Sequence, residues 1–165
     1  PRSTPLYSSA ASDVYKRQAL DLAEEQEYDE AILIYNKILK TNPNNMNAII
    51  DKATTLQRLG KNSLALTLYD KALKNEPKNI DALIGKGSTL HAQKKFSNAI
   101  EFYNMALKID PKFPVALAYK GLSLGEQGKI KDALSLFKKA LSIDKNYDLA
   151  LISKQKALEL LKSKR

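Results

Sequence analysis

The sequence predicts an all-α solenoid of helix–turn–helix repeats that ends in a C-terminal capping helix. Three observations predict it: a 34-residue period, two apolar stripes at helical spacing within each period, and helix stop signals between the stripes. The period is clearest in the stretch from Asn98 to Pro111, which aligns with Asp29–Pro43, Ser63–Pro77 and Lys131–Lys145. Small Ala31, Ala65, Ala99 and Ala133 fall in register, as do Tyr35, Tyr69, Tyr103 and Phe137, then Leu39, Leu73, Leu107 and Leu141, and finally Pro43, Pro77 and Pro111. A fixed period in this range means stacked units that bury their apolar faces on one another.

Each unit begins with one amphipathic helix and ends with another. In the third unit Ile80, Leu83, Ile84, Gly87 and Leu90 follow the i, i+3, i+4, i+7 rule; past Gln93-Lys94-Lys95, a second stripe runs through Phe96, Ala99, Ile100, Tyr103, Ala106 and Leu107. Gly60 and Gly128 stand where a left-handed residue closes a helix. Pro43, Pro77 and Pro111 lie just past second helices, where proline stops propagation, and Pro114 suits a first turn. Helices are therefore expected at 12–25, 28–41, 46–59, 62–75, 80–93, 96–109, 114–127, 130–143 and 148–163. They form repeats 12–45, 46–79, 80–113 and 114–147. The segment 148–165 is a capping helix with a basic tail, since Ala150, Leu151 and Leu158 repeat only the first half of the unit before the polar end at Lys162–Arg165. On this reading the C-terminus is genuine.

Residues 1–18 are set apart. The stretch Ser8–Gln18 resembles translated adapter or vector read-through, so 1–18 is expected to be a non-native scar, with 12–18 opening the first helix. On this reading the natural N-terminus is expected to be missing, and whether other domains precede this piece is left open.

Composition narrows the function. The chain has no Cys, one His, 27 Lys and Arg against 18 Asp and Glu, and a net charge of +9. Thiolate chemistry, disulfides and Cys-ligated metals are ruled out, and a single imidazole gives a transition metal little to bind. Acting as a general base, His91 would need a positioned partner and a nucleophile. Asp29, Glu30 and Asp132 sit at helix starts, where they complement the dipole. The Gly121–Gly125 stretch lies within a helix and is no phosphate loop. The chain is read as a non-enzyme with no cofactor and no metal. Without a membrane-length apolar run it is expected to be cytoplasmic and not membrane-inserted.

Small residues recur because paired helices joined by short turns cross closely. Ala19, Ala53, Gly87 and Gly121 provide that room on first helices, and Ala31, Ala65, Ala99 and Ala133 on second helices. The aromatic four residues after each of the latter is expected to fill space against the next unit.

These features resemble the tetratricopeptide repeat (TPR) family, whose pattern runs Trp-x2-Leu-Gly-x2-Tyr, then Ala-x3-Phe, Ala and Pro. Ala99, Tyr103, Ala106 and Pro111 match the second half. In the first half Gly87 and Gly121 keep the Gly; Tyr15, Ile49, Leu83 and Leu117 replace the Trp; Lys52, Lys86 and Lys120 replace the Leu; and Leu22, Leu56, Leu90 and Leu124 replace the Tyr. The resemblance spans residues 12 to 163, and its 34-residue step differs from the 35 of RNA-reading pentatricopeptide arrays. It implies a right-handed solenoid that binds a peptide or partner helix in a concave groove, as a scaffold or adaptor. The groove would present Asn47, Ile50, Thr54 and Gln57, then Asp81, Ile84, Ser88 and His91, then Ala118, Tyr119 and Leu122. Some of these, notably Ile84 and Leu122, also suit a core. A chaperone-type carboxylate clamp is not expected. Its places hold Lys16 with Leu20, then Asp51, then Asp81 with Gly85, and acidic groups repel a carboxylate.

Two other readings stay open. Lys52, Lys86, Lys120 and Lys154 recur at the period and could track nucleic-acid phosphates along one edge, although no aromatic platform accompanies them. The chain could also be the regulatory or assembly domain of a larger truncated enzyme.

Overall fold

A computed structural model describes residues 7–163, with side chains from residue 13 on. Among the described residues it holds nine helices and no strand: α1 (Tyr7–Glu24), α2 (Tyr28–Thr41), α3 (Met46–Arg58), α4 (Asn62–Asn75), α5 (Ile80–Ala92), α6 (Phe96–Ile109), α7 (Pro114–Glu126), α8 (Ile130–Ile143) and α9 (Asp148–Ser163). The boundary that moves most is the first. α1 starts at Tyr7 rather than 12, so residues 7–18 of the segment set apart as a scar are continuous with the first helix. Residues 1–6 of that segment, and Lys164 and Arg165 of the basic tail, lie outside the described residues.

The boundaries have local causes. Asn45 and Asn79 cap α3 and α5, their side chains accepting from the Ala48 and Ala82 amides at 3.1 and 3.0 Å. The loops before α7 and α9 are closed by Asx turns: Asp110 accepts from the Lys112 amide at 2.9 Å and Asp144 from the Asn146 amide at 3.0 Å. The turn within each helix pair needs one left-handed residue. Gly60 and Gly128 supply it at φ 76° and 78°, and Gln26 and Lys94 adopt it at 66° and 60° in the other two pairs.

The chain divides into two compact units, one ending at Asn75 and the other starting at Glu76. In the first, α1 to α4 pack each on the next, and α1 also touches α3. In the second, α5 to α9 pack in sequence while α5 touches α7 and α7 touches α9. Among the described residues no such contact joins α2 to α4 or α6 to α8. Within each unit the first helices therefore close up on one side and the second helices splay on the other.

Small residues and rings fill the interior. Ala19, Ala53, Ala31, Ala65 and Ala99 are wholly buried, and so are Tyr35, Tyr69 and Tyr103. An added methyl on Gly87 would meet the Tyr103 ring at 2.5 Å, and one on Gly121 the Phe137 ring at 2.6 Å. Each of these rings thus lies first on the glycine of its own pair. The expectation that it packs on the next unit holds for Tyr103, which also stacks on Tyr119 of α7 at 5.9 Å. No described helix is long and apolar enough to cross a membrane.

Candidate recognition surface

The first helices place the expected groove residues, and the two units do so differently. In the first unit Asn47 is exposed, Thr54 and Gln57 are half-buried, and Ile50 is 8% exposed. Thr54 Oγ donates to the Ile50 carbonyl at 3.0 Å and shares a 2.9 Å hydrogen bond with the Tyr69 hydroxyl, which also reaches Gln57 Oε1 at 3.5 Å. Thr54 and Gln57 are thus joined through a buried tyrosine. Beside them a cavity of about 220 Å³ opens between α1, α2 and α3, lined by Glu24, Tyr35, Asp51, Thr55 and Arg58 among others. Burial, and then the Asp51 carboxylate, push the Tyr35 phenol up to about 12. Lys16 lies 3.9 Å from Asp51, so the cation at the first clamp position faces an acid on the next first helix.

In the second unit Asp81 is exposed, while Ile84, Ser88, His91, Tyr119 and Leu122 are half-buried. Ala118 requires a correction as a ligand contact. It is 0% exposed and belongs to the cluster of Leu117, Ala140 and Ala150, because α7 turns that residue toward α8 and α9. Leu122 packs on the cluster of Ala133, Leu134, Phe137 and Ala157, with one side left over. That side opens into an apolar cavity of about 270 Å³ between α7, α8 and α9, where Leu122, Ile130, Ala133, Phe137, Ala157 and Leu160 form walls and floor. Glu126, Ser153 and Lys156 supply the polar lining. No repeated motif pointed to Lys156, Ala157 or Leu160, since the sequence pattern of α9 repeats only the first half of the unit.

His91 has the geometry of a base beside a hydroxyl, with Nδ1 sharing a 2.8 Å hydrogen bond with Ser123 Oγ. The pairing does not make a nucleophile. Ser123 is 0% exposed, so no substrate carbonyl reaches its oxygen. The imidazole packs edge-on against Phe96 at 5.2 Å, and burial lowers its pKa while Glu126 opposes the shift. Among the described residues no group of three His, Asp or Glu side chains is arranged to hold a metal ion. The periodic lysines Lys52, Lys86, Lys120 and Lys154 are half-buried, with Lys86 Nζ 4.3 Å above the Phe102 ring.

Models of the tetratricopeptide repeat match residues 50–114 and 116–147. The chain belongs to the tetratricopeptide repeat family. Among solved structures it is similar to a thermophilic TPR protein from Thermus thermophilus, at 20% identity and TM-score 0.77 over 90% of each chain. It is similar to YrrB, described as a TPR protein with an unusual peptide-binding site, at 22% identity and TM-score 0.71 over 89% of this chain and 76% of that one. The first TPR domain of Spaghetti (RPAP3), bound to the HSP90 peptide SRMEEVD, aligns at 21% identity and TM-score 0.66 over 70% of this chain and 92% of that one. No curated protein matches the sequence. At these identities the likeness establishes the TPR architecture.

Proposed function

We propose that this TPR chain is a protein-interaction module that holds a peptide segment or partner helix on its first-helix face. The observation that carries this reading is the apolar cavity between α7, α8 and α9, which has room for one aliphatic or aromatic side chain and a polar rim for the flanking backbone. Leu160 on its wall is 39% exposed, and Ser153 and Lys156 on the same helix offer a hydroxyl and an ammonium for hydrogen bonding to the bound chain. Burying one leucine there contributes about 1.5–3 kcal/mol, the scale of a single anchor residue. In the first unit the exposed Asn47 offers an amide that suits an extended backbone. That YrrB and the Spaghetti domain are described with peptides supports the same reading.

The test is a peptide-display selection on the full chain, counter-selected with Leu160→Glu, whose side chain is exposed enough for the variant to fold. Enriched sequences sharing an apolar anchor and lost on the variant support the proposal. No enrichment, or enrichment that survives the substitution, refutes it.

A further inference from the structure

The splay of the second helices leaves a different feature on the opposite side of the second unit. Between α6 and α8, above α7, lies a cleft of about 410 Å³ lined by Asn104, Leu107, Lys108, Pro111, Leu117, Lys120, Leu136 and Lys139. Four apolar residues make the floor and three lysines stand around it. Among the described residues none of Lys108, Lys120 and Lys139 has a carboxylate within 4.0 Å. Three cations over an apolar floor with no counter-charge leave electrostatic and hydrophobic complementarity unfilled.

Sixty-eight residues earlier, two periods back, the same positions are Asn36, Leu39, Lys40, Pro43, Ile49, Lys52, Leu68 and Lys71. All three lysines recur, here within the first unit. Lys71 Nζ donates to the Pro43 carbonyl at 3.0 Å, which bridges one side of the site to the other. Burial, and then the Lys71 ammonium, lower the pKa of Lys52, so the two cations sit close enough to repel. The intervening period differs: Met105 takes the place of the third lysine, and Lys86 rests on Phe102.

We propose that the cleft of Lys108, Lys120 and Lys139 is a second binding site, on the side where the second helices splay, for an acidic peptide segment with an aliphatic anchor. The anchor fills the floor of Leu107, Pro111, Leu117 and Leu136, and flanking carboxylates accept from the lysine ammoniums. A nucleic acid fits less well, because no aromatic side chain lines this cleft for base stacking and an aliphatic floor gives phosphates nothing to bury.

The probe is a fluorescein-labelled peptide, GDELLEDG, titrated with the full chain at low salt and followed by anisotropy. GDEGGEDG and GNQLLQNG remove the anchor and the charges in turn, and labelled oligo-dT is the nucleic-acid arm. Lys120→Gln/Lys139→Gln is compared with Lys78→Gln/Lys131→Gln, which removes equal charge from exposed lysines outside the cleft. The double cleft variant is expected to weaken GDELLEDG about tenfold through two lost charge-assisted hydrogen bonds. The control variant and both altered peptides separate a site from general attraction. The inference is overturned if GDELLEDG does not bind, if the control weakens it equally, if either altered peptide binds as tightly, or if oligo-dT binds more tightly and is lost on the same variant. Thermal melting of each variant keeps unfolding distinct from lost binding.

Discussion

Two glycines four residues apart on α7 should respond to the same substitution with opposite signs. Replacing a helical glycine by alanine gains about 1 kcal/mol of helix propensity. At Gly121 the added methyl would stand 2.6 Å from one carbon of the Phe137 ring and 3.1 Å from two more. Phe137 is only 3% exposed and lies within the cluster of Ala133, Leu134 and Ala157, so neither ring nor helix withdraws freely. Overpacking of this kind costs about 1–3 kcal/mol, which outweighs the propensity gain and leaves Gly121→Ala less stable by about 1 kcal/mol. At Gly125 the nearest atom to the same methyl is the Ala133 side chain at 3.9 Å, an ordinary contact. There the propensity gain stands, reduced by proximity to the helix end at Glu126, and Gly125→Ala should be more stable by about 0.5 kcal/mol. The two variants then differ by about 1.5 kcal/mol, or roughly 3–6 °C in Tm for a chain of this size. Urea titration of both beside the parent gives the same difference, with Cm moving and m constant. Adding Phe137→Leu to Gly121→Ala should recover part of the loss beyond additivity, because the two sites share one contact. If Gly121→Ala melts with or above Gly125→Ala, the close-approach account of the recurring small residue is wrong.

Three further expectations concern turns, caps and pH. Lys94 holds φ 60°, a conformation that costs a side-chain-bearing residue about 1 kcal/mol, so Lys94→Gly should raise stability by about 0.5–1 kcal/mol in urea melts; a loss would show the side chain contributes there. Asn79→Ala removes the acceptor for the Ala82 amide and should cost about 1 kcal/mol, whereas Asn79→Ser should cost much less; equal losses would argue against capping. Burial depresses His91 below its usual 6.5, so the unfolded chain binds this proton more readily than the folded one. Its contribution is intact above 6.5, falls as pH drops through that value, and levels off below the folded pKa. His91→Gln should flatten Cm between pH 7 and 5, and an unchanged slope would refute the assignment.

How much of this was legible depends on whether a feature repeats. The helices were, because Ala31, Tyr35, Leu39 and Pro43 recur at one spacing and each recurrence restates the same packing contact. The start of α1 was not, since Tyr7–Ser12 carries no periodic apolar stripe and its Ser-rich composition argues against helix. The left-handed turn was marked at Gly60 and Gly128, while Gln26 and Lys94 take the same conformation under tertiary compulsion with no composition to announce it. Ala118 was placed in the groove by the family resemblance, and the structure buries it. One step of 100° separates a groove position from a core position, and α9 shifts which side of α7 is covered.

Recognition runs on the opposite principle. A position that is identical in every period maintains the stack and distinguishes no partner, so a site must be sought where one period departs from the others. Tyr103 leans on Tyr119 of the next helix pair, a contact that lies on the face proposed for peptides. The α7–α9 region departs too, because Leu160 of α9 lines an apolar cavity and stays 39% exposed. The lysines carry the point further. Lys52, Lys86, Lys120 and Lys154 read as one ladder, yet a further lysine accompanies Lys52 and Lys120, at Lys71 and Lys139, and is replaced by Met105 in the period of Lys86. A ladder built to track a uniform polyanion has no use for that interruption, while the discrete cleft proposed at Lys108, Lys120 and Lys139 accommodates it.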